Sequence, residues 1–483
     1  MAPFEDFSFD TYADDGLTQN PFVVQALKPD AAGQRLLVGR DDQVVQVMKS
    51  LHKAGKITCL DGHVGVGKTS LVNVAAYRCY QAFRGGKTNQ LLVPVAEAFQ
   101  LKKDEDTAAF CSDVFRRVAQ TLLQYRVDLQ SLGQYPKTAA SIDAWLNSPI
   151  VEHVTGALGF GGTVGLPGVI SANVATTGST ARQLNTGSAF SEQGFENLVK
   201  AWLREISVEK GNGGVVCVID NLELLESGAQ ARRTLEVLRD RLFSIEGLRW
   251  VFCGANGVIH SLASSERLGS FLNTPVIDVA HVKTSSLEPL FRARFEEFAM
   301  IDEADAWDKM PVTLDDLKHL YRIVNFNLRD LLALGDEYCG DIHGKGVVLT
   351  SVEHKTRRFE KWLEAATTTR YHTLSSRLPQ DAWVILDLVM SDEFKGNFGA
   401  GDYSSLNQNS KVSIAQSTFE KRLRDLVRYE LISKLVEDVG GVKGDFKREV
   451  ISVTAKGALV HYARLVKQEN QGIKELTWLR RVH

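Results

Sequence analysis

A glycine-rich loop that ends in a lysine and a threonine constrains this chain more than any other feature. It runs from Gly62 to Thr69 and lies between a short β-like run and a helix-like run. In this setting the glycines let successive backbone N–H groups converge on phosphate oxygens, and the start of the helix adds its partial positive charge. Lys68 supplies a charge for the β- and γ-phosphates, and the Thr69 hydroxyl is a hard oxygen ligand for Mg²⁺. The predicted nucleotide-binding residues of the loop are Gly62, His63, Val64, Gly65, Val66, Gly67, Lys68, Thr69 and Ser70.

A carboxylate at the end of a second apolar run completes the expected Mg²⁺ site. The run Gly214–Asp220 is continuously apolar, as a strand buried on both faces requires, and it ends in Asp220. ATPases of the additional-strand class usually place a glutamate directly after this aspartate to activate the attacking water. Here the position is Asn221, which can orient water but cannot accept its proton. Glu223 is the nearby substitute, or else a solvated residue opening the next helix, so we expect slow ATP hydrolysis.

Further β-like runs alternate with helix-like segments. The run Leu248–Gly254 is followed by Asn256, which either reaches the γ-phosphate and its water or caps the next helix. Runs near Leu91–Val95 and Pro275–Val282 bring the total to five strands. Strands that alternate with helices in this way predict a parallel α/β sheet.

From residue 37 to about residue 341, the order of these motifs resembles that of the AAA+ ATPases. The resemblance is to the branch of archaeal and eukaryotic origin-recognition initiators and to the related STAND signalling ATPases. Gly62–Thr69 looks like their Walker A loop, Asp220 like Walker B and Asn256 like sensor 1. The element that packs against adenine and ribose in those families is matched by Val38, Gly39 and Arg40.

The same resemblance implies a small helical lid over the nucleotide. Residues Val324–Leu332 are similar to the "GNxRDLL" segment of that lid, in which an arginine called sensor 2 contacts the γ-phosphate. Arg329 would be this residue, and a guanidinium suits the role because it forks onto phosphate oxygens. On the residues alone, an arginine on a helix surface is the alternative. These families also use an arginine from an adjacent subunit, for which Arg267 is a candidate.

The C-terminal region changes pattern to a strongly apolar helix, a basic helix and a β-hairpin. Ser417 and Glu420 form a capping-box pattern at the start of the basic helix. Residues 408–483 contain fifteen Lys or Arg and nine Asp or Glu, so this region is basic. The region resembles a winged helix-turn-helix, which binds either duplex DNA or protein partners. The predicted DNA-binding residues are Lys421, Arg422, Arg424, Arg428, Lys443, Lys447 and Arg448.

These features together predict an α/β P-loop AAA+ fold with a helical lid and a C-terminal winged helix. A long glycine- and serine-rich stretch interrupts the core, and it is either a projecting β-hairpin or a disordered insert. The predicted units are an N-terminal extension (1–36), the ATPase core (37–283, with an insertion at about 127–190), the lid (284–350), a helical connector (351–377) and the winged helix (378–483).

The overall charge bears on which partners the protein can bind, and the N-terminus bears on where in the cell it is located. Lys and Arg number 56 against 59 Asp and Glu, so the overall charge implies no affinity of the chain as a whole for nucleic acid or anionic membranes and leaves only a local basic patch open. There is no apolar run of membrane-spanning length, and the acidic N-terminus lacks a secretory pattern, so we expect a cytoplasmic protein.

Two functions from different classes fit the sequence. The first is an ATPase that oligomerises with nucleotide and binds double-stranded DNA. The second is a STAND-like switch in antiphage defence or signalling, which holds nucleotide and recruits a separate effector protein.

Overall fold

The computed structural model describes residues 12–102, 106–147, 192–209, 212–225, 228–255, 257–263, 265–391, 394, 396–399, 403, 414–441 and 444–470. The strands are β1 (Thr58–Asp61), β2 (Leu92–Pro94), β3 (Phe99–Gln100), β4 (Gly214–Asp220), β5 (Leu248–Gly254), β6 (Ile277–Asp278), β7 (Asn397–Gly399), β8 (Ile432–Gly441) and β9 (Gly444–Val453).

The helices of the ATPase region are α1 (Ala31–Leu36), α2 (Asp41–Leu51), α3 (Lys68–Arg84), α4 (Thr107–Gln124), α5 (Arg126–Ser131), α6 (Ala139–Asn147), α7 (Glu192–Arg204), α8 (Gly228–Leu238), α9 (Val258–Ala263), α10 (Leu287–Phe298), α11 (Glu303–Lys309), α12 (Leu314–Ile323) and α13 (Leu328–Gly344). They are followed by α14 (Val352–Ser375), α15 (Gln380–Val389), α16 (Gln416–Arg428) and α17 (Ala455–Asn470).

The central sheet is parallel, with the strand order β2-β4-β5-β1-β6 and β3 paired to the end of β4. Strand β5 therefore lies between β1, which leads into the phosphate loop, and β4, which ends in Asp220. An extra strand at this position is the topology of the additional-strand ATPases. The predicted parallel α/β sheet is confirmed, although β6 is shorter than the run Pro275–Val282 indicated.

Both faces of the sheet are buried, which explains the continuous apolar runs. In β4, Val215, Cys217 and Ile219 pack into the cluster beneath α4, α7 and α8. The alternate residues Val216 and Val218 pack into the cluster beneath α2 and α3. Every residue of β4 is buried, as a parallel strand covered by helices on two sides requires.

Part of the predicted insertion belongs to the core. Residues 126–147 include helices α5 and α6, and Trp145 of α6 stacks on Phe195 of α7 with ring centroids 3.9 Å apart. The indole Nε1 of Trp202 donates to the Gln134 carbonyl at 2.9 Å. The packed core therefore continues to Asn147, beyond the predicted boundary. The hairpin predicted at residues 164–173 lies outside the described residues.

The predicted N-terminal extension packs against the lid from Tyr12 onward. The Tyr12 hydroxyl donates to Asp336 of α13 at 2.6 Å, and Phe22 lies 5.9 Å from Phe291 of α10 between ring centroids. Leu17 forms an isolated β-bridge with Ala299. Tyr12, Leu17 and Phe22 are buried in the same apolar cluster as helices α10–α13. This segment therefore contributes to the core of the lid.

The C-terminal elements have the order of a winged helix. Helix α15 precedes β7, helix α16 follows, and β8 and β9 form a long antiparallel hairpin before α17. The three strands form a sheet of order β7-β9-β8. The predicted winged-helix fold is thus present, while most of the short segment expected before α16 lies outside the described residues. Among the helices described, none is both long enough and apolar enough to cross a membrane.

Candidate nucleotide site

The phosphate loop is built around two glycines in the left-handed region. Gly65 has φ +83° and Gly67 has φ +93°, conformations that side chains with a Cβ rarely adopt. Helix α3 begins at Lys68, directly after the loop, and no side chain caps its first turn. The backbone N–H groups of that turn therefore remain available for an anion.

The lysine of the loop is folded back over it. Its ammonium donates to the carbonyls of Gly62 at 2.9 Å and His63 at 3.1 Å, and the side chain is buried. These two bonds hold the charge at the mouth of the loop, where phosphates would contact it.

Two oxygen ligands suited to Mg²⁺ lie side by side. The Thr69 hydroxyl donates to Asp220 Oδ2, and Asp220 Oδ1 accepts a bond from the Asn221 N–H at 2.9 Å. Thr69 lies in the first turn of α3 and Asp220 ends β4, so the sheet topology brings together residues that are 151 positions apart. A hydroxyl and a carboxylate are the hard donors that Mg²⁺ prefers, so this pair fits the predicted metal.

A single cavity joins the loop to the lid. Arg329, in the first turn of α13, is exposed and lines this cavity together with Lys68, Thr69 and Asp220. The three groups expected to contact a triphosphate therefore face one space. The remaining predicted nucleotide residues on its wall are Val38, Arg40, Val64, Gly65, Val66, Gly67, Ser70 and Asn221.

The Arg40 side chain is buried beside the phosphate loop. Its guanidinium donates to the carbonyls of Val66 at 2.8 Å and Ala280 at 2.6 Å, and it is almost fully buried. Burial lowers the pKa of Arg40. Gly39, with φ +74°, lies against Ser286, where a Cβ would approach its hydroxyl to 2.8 Å. Arg40 therefore lies on the cavity wall while its guanidinium ties the phosphate loop to the segment after β6.

Glu223, which follows Asp220 by three positions, is partly buried. Glu223 Oε2 is buried and has no hydrogen-bond partner in the part of the chain that the structure describes. Burial raises the pKa of Glu223, against the opposing charge of Lys68. Asn221 has φ 57°, a left-handed conformation that asparagine tolerates. Glu223 is therefore a partly buried carboxylate three positions beyond Asp220, and it is not among the residues that line the cavity.

Asp61 is a residue that the sequence reasoning missed. It ends β1 immediately before Gly62, and burial raises its pKa. Its Oδ2 accepts the Gly257 N–H at 3.3 Å, while Oδ1 is buried without a partner among the described residues. The available signal was a polar residue at the carboxyl end of a predicted strand.

The N-terminal segment forms another wall of the cavity. Residues Val23–Leu27 line it, and the Leu27 N–H donates to Ser70 Oγ at 3.0 Å. Arg294 of α10 donates to the Pro21 carbonyl at 2.7 Å, and burial lowers the pKa of Arg294 to about 10. No motif in the sequence indicated these contacts, which join residues 43 and 273 positions apart.

Other predicted site residues lie elsewhere or outside the description. Arg267 is exposed, lies outside this cavity and has its Nη2 4.0 Å from Asp240. Asn256, the predicted sensor 1, and Lys443, in the predicted wing, are outside the described residues. Neither the polar end of β5 nor the tip of the hairpin can therefore be assigned a geometry.

Three of the four basic side chains predicted on helix α16 are exposed to solvent. Lys421, Arg424 and Arg428 are exposed. Arg422 is turned inward, where it donates to Asp425 at 3.1 Å and lies 3.7 Å from Asp381. Arg422 is thus partly buried and ties α16 to α15. In β9, Lys447 and Arg448 are opposite Asp438 and Glu437 in the hairpin register.

The strand order and the phosphate loop define a P-loop α/β fold with an additional strand between β1 and β4. No protein-family model matches the sequence, and neither does any curated protein. Among solved structures, the ORC2 protein of Aeropyrum pernix, in ADPNP–ADP complexes, is 12% identical with a TM-score of 0.43, covering 94% of this chain and 98% of that one. The ORC1 protein of the same organism, in complex with DNA, is 13% identical with a TM-score of 0.38, covering 90% and 94%. The Walker-type ATPase PABY2304 of Pyrococcus abyssi is 13% identical with a TM-score of 0.41, covering 91% and 99%. At these similarities the function has to be judged from the site itself.

Proposed function

We propose that this protein binds ATP with Mg²⁺ between its core and its lid and hydrolyses it slowly. The observation that carries the proposal is the shared cavity of Lys68, Asp220 and Arg329. These groups come from α3, β4 and α13, and only the folded core and lid bring them together. A site with a cation on two sides and a carboxylate beside a hydroxyl is complementary to a triphosphate and its metal.

Each group has a distinct task in this proposal. The N–H groups of the first turn of α3 and the Lys68 ammonium bind the phosphates. Thr69 and Asp220 hold Mg²⁺, which offsets the charge that develops on the phosphate oxygens. The Arg329 guanidinium contacts the γ-phosphate from the lid, so lid closure depends on whether that group is present. Catalysis then rests on positioning and electrostatics, as is general for phosphoryl transfer.

Glu223 is the residue we assign to proton transfer from the attacking water. Its unpaired Oε2 and its raised pKa support this role. Asn221, which follows Asp220 directly, can only orient the water. We expect slow ATP hydrolysis because the base lies two positions beyond Asn221, the position where a glutamate is usual.

Replacing Glu223 with glutamine is expected to slow ATP turnover about 100-fold or more and to leave ATP affinity unchanged, because only the base is removed. The wild-type rate should decrease as pH falls through the raised pKa of Glu223, and the loss should begin above the pH at which an ordinary glutamate titrates. Phosphate release by the purified protein at several pH values measures both effects. Glu246→Gln, at an exposed position, is the matched control. Equal turnover in Glu223→Gln and wild type would reject Glu223 as the base.

We further propose that the winged helix binds double-stranded DNA. The exposed Lys421, Arg424 and Arg428 supply phosphate contacts along one side of α16. A winged-helix fold with a basic helix suits the major groove, where phosphates flank the groove on both sides. Lys443, Lys447 and Arg448 extend the proposed contact along the hairpin.

A nucleotide switch is the second candidate, and the asparagine at position 221 favours it. In this case ATP is held, subunits assemble and a separate effector protein is recruited, with Arg267 reaching into the neighbouring site. We expect ATPγS to convert a monomer into a larger species, as measured by size-exclusion chromatography with light scattering. The same change should be absent for Arg267→Ala and present for Arg204→Ala, a control on α7. A molar mass that does not respond to nucleotide would exclude assembly.

A further inference from the structure

One turn of the lid contacts three separate parts of the molecule. It consists of Asn325, Phe326 and Asn327, the residues between α12 and α13, and we call it the lid turn. Asn325 and Phe326 have φ values of 53° and 57°. Two successive residues with a Cβ in the left-handed region are uncommon and persist only where the surroundings hold them in place.

Asn327 joins the lid turn to the phosphate loop. Its Nδ2 donates to the Val64 carbonyl at 3.0 Å, and its Oδ1 accepts the Asp330 N–H at 3.2 Å as the N-cap of α13. A Cβ on Gly65 would lie 2.3 Å from Asn327 Oδ1, so the loop and the cap are in close contact. One side chain therefore sets the start of the helix that carries Arg329 and also contacts the loop that would bind the phosphates.

Phe326 provides a second link to the loop. Its carbonyl lies 2.8 Å from His281 Nδ1, and because a carbonyl only accepts, His281 must donate. The His281 ring stacks on His63 of the phosphate loop, with centroids 5.0 Å apart and an interplanar angle of 17°. The side chain of Asn327 thus contacts Val64 directly, whereas the backbone of the lid turn is linked to the adjacent His63 through His281.

Asn325 faces the winged helix. Its Nδ2 donates to the carbonyl of Val453, the last residue of β9, at 3.4 Å. Gly396, just before β7, is so close that a Cβ there would lie 3.2 Å from the same nitrogen. The Val453 N–H in turn donates to the Gly396 carbonyl at 2.7 Å. Asn325 therefore contacts the base of the three-stranded sheet of the winged helix.

We propose that the lid turn couples the nucleotide site to the winged helix, with Asn327 and Asn325 as positioning residues at its two ends; this rests on the proposed ATP and DNA binding. A nucleotide that moves the lid relative to the loop must change the contacts of Asn327. Because the turn is held in one conformation, the displacement reaches Asn325 two residues away. It then shifts the winged helix relative to the core.

The coupling is measured as the factor by which ATPγS changes duplex affinity, and linkage requires that the duplex changes ATPγS affinity by the same factor. We use a labelled mixed-sequence 30-base-pair duplex, titrated with and without ATPγS. The wild type should show a factor of about ten, within the range usual for allosteric proteins. Asn325→Gly keeps the left-handed conformation and removes the amide, so its factor should fall to about one while ATPγS affinity stays unchanged.

Asn327→Ser provides the second variant. Serine is a good N-cap and preserves the bond to Asp330, but it is too short to reach Val64. This variant should also lose the coupling, whereas Asn197→Ser, on the exposed face of α7, should retain it. Thermal unfolding of each variant verifies that the fold is intact. Wild-type coupling in both Asn325→Gly and Asn327→Ser would overturn the proposal.

Hydrogen exchange without DNA separates this proposal from the proposed DNA binding. ATPγS should change the exchange of backbone amides in β7 and β9 of the wild type, and Asn325→Gly should abolish the change. If the wild type binds no duplex but shows this change, the DNA proposal fails and the coupling stands. If ATPγS binds and leaves exchange in β7 and β9 unchanged in the wild type, the coupling is excluded.

Discussion

Replacing Lys68 with alanine is expected to weaken ATP binding about 100-fold. The ammonium is held over the loop by the carbonyls of Gly62 and His63, so it needs little reorganisation to contact phosphate. Hydrogen bonds to charged groups contribute about 1.5–3 kcal/mol each, and about 2.8 kcal/mol corresponds to the expected loss. Titration of a fluorescent ATP analogue, or calorimetry with ATP, measures the change.

The matched control for this variant is Lys87→Ala. Lys87 is exposed just beyond the opposite end of α3, so its removal changes the net charge equally without touching the cavity. Its ATP affinity should equal that of the wild type. A Lys68→Ala protein that is folded and binds ATP as tightly as the wild type would remove the basis for the proposed nucleotide site.

Reversing three charges on α16 is expected to have an equally large effect on duplex binding. The variant Lys421→Glu, Arg424→Glu and Arg428→Glu should bind a mixed duplex at least about 100-fold more weakly at low salt. Each phosphate contact contributes about −0.9 to the slope of log affinity against log salt concentration, so the slope should become shallower by roughly 2.7. Anisotropy of a labelled duplex at four salt concentrations measures both quantities. Arg422 is left intact because its pairing with Asp381 and Asp425 holds α16 in place.

The control carries the same change of charge elsewhere. Lys49→Glu, Lys53→Glu and Lys87→Glu alter three exposed lysines of the ATPase core. If the contact is local to the winged helix, this variant should keep the wild-type salt slope and lose only a little affinity through the long-range field. Equal losses in both variants would show that net charge, rather than α16, governs binding.

The parts of the fold that the sequence predicted are those encoded by contiguous residues. A buried strand is visible as an apolar run, and the turn from β1 into α3 needs its glycines at fixed positions, so the loop and Asp220 were both located correctly. Arg329, which lines the cavity, was singled out because its neighbours form a continuous motif from Val324 to Leu332. Local patterns therefore predicted the sheet and the groups that surround the cavity.

The side-chain contacts that the sequence did not reveal depend on partners far away in the chain. The Arg40 guanidinium donates to the carbonyls of Val66 and Ala280, and Ala280 is 240 positions distant. Arg422 is drawn inward by Asp381 on another helix. No periodicity reveals such pairs, and the same is true of the N-terminal segment that lines the cavity.

The start of the predicted insertion was placed too early in the chain, for a different reason. Residues 127–147 are interrupted by Gly133 and Pro136, so they look like the beginning of a loop. Their aromatic side chains nevertheless pack against α7, where Trp145 stacks on Phe195 and Tyr135 makes an edge contact with Trp202. Tertiary packing overrides weak local propensity in such short helices.

The most direct test of the account is the nucleotide preference of Arg329→Ala. If Lys68 of the core and Arg329 of the lid both contact the γ-phosphate, wild-type protein binds ATPγS more tightly than ADP. Removing the Arg329 guanidinium then abolishes that preference. We predict that calorimetry will give Arg329→Ala nearly equal affinities for ATPγS and ADP, with ADP affinity unchanged and with Arg322→Ala, at an exposed position on α12, behaving as wild type. A variant that keeps the wild-type preference, or that loses affinity for both nucleotides equally, would contradict the account.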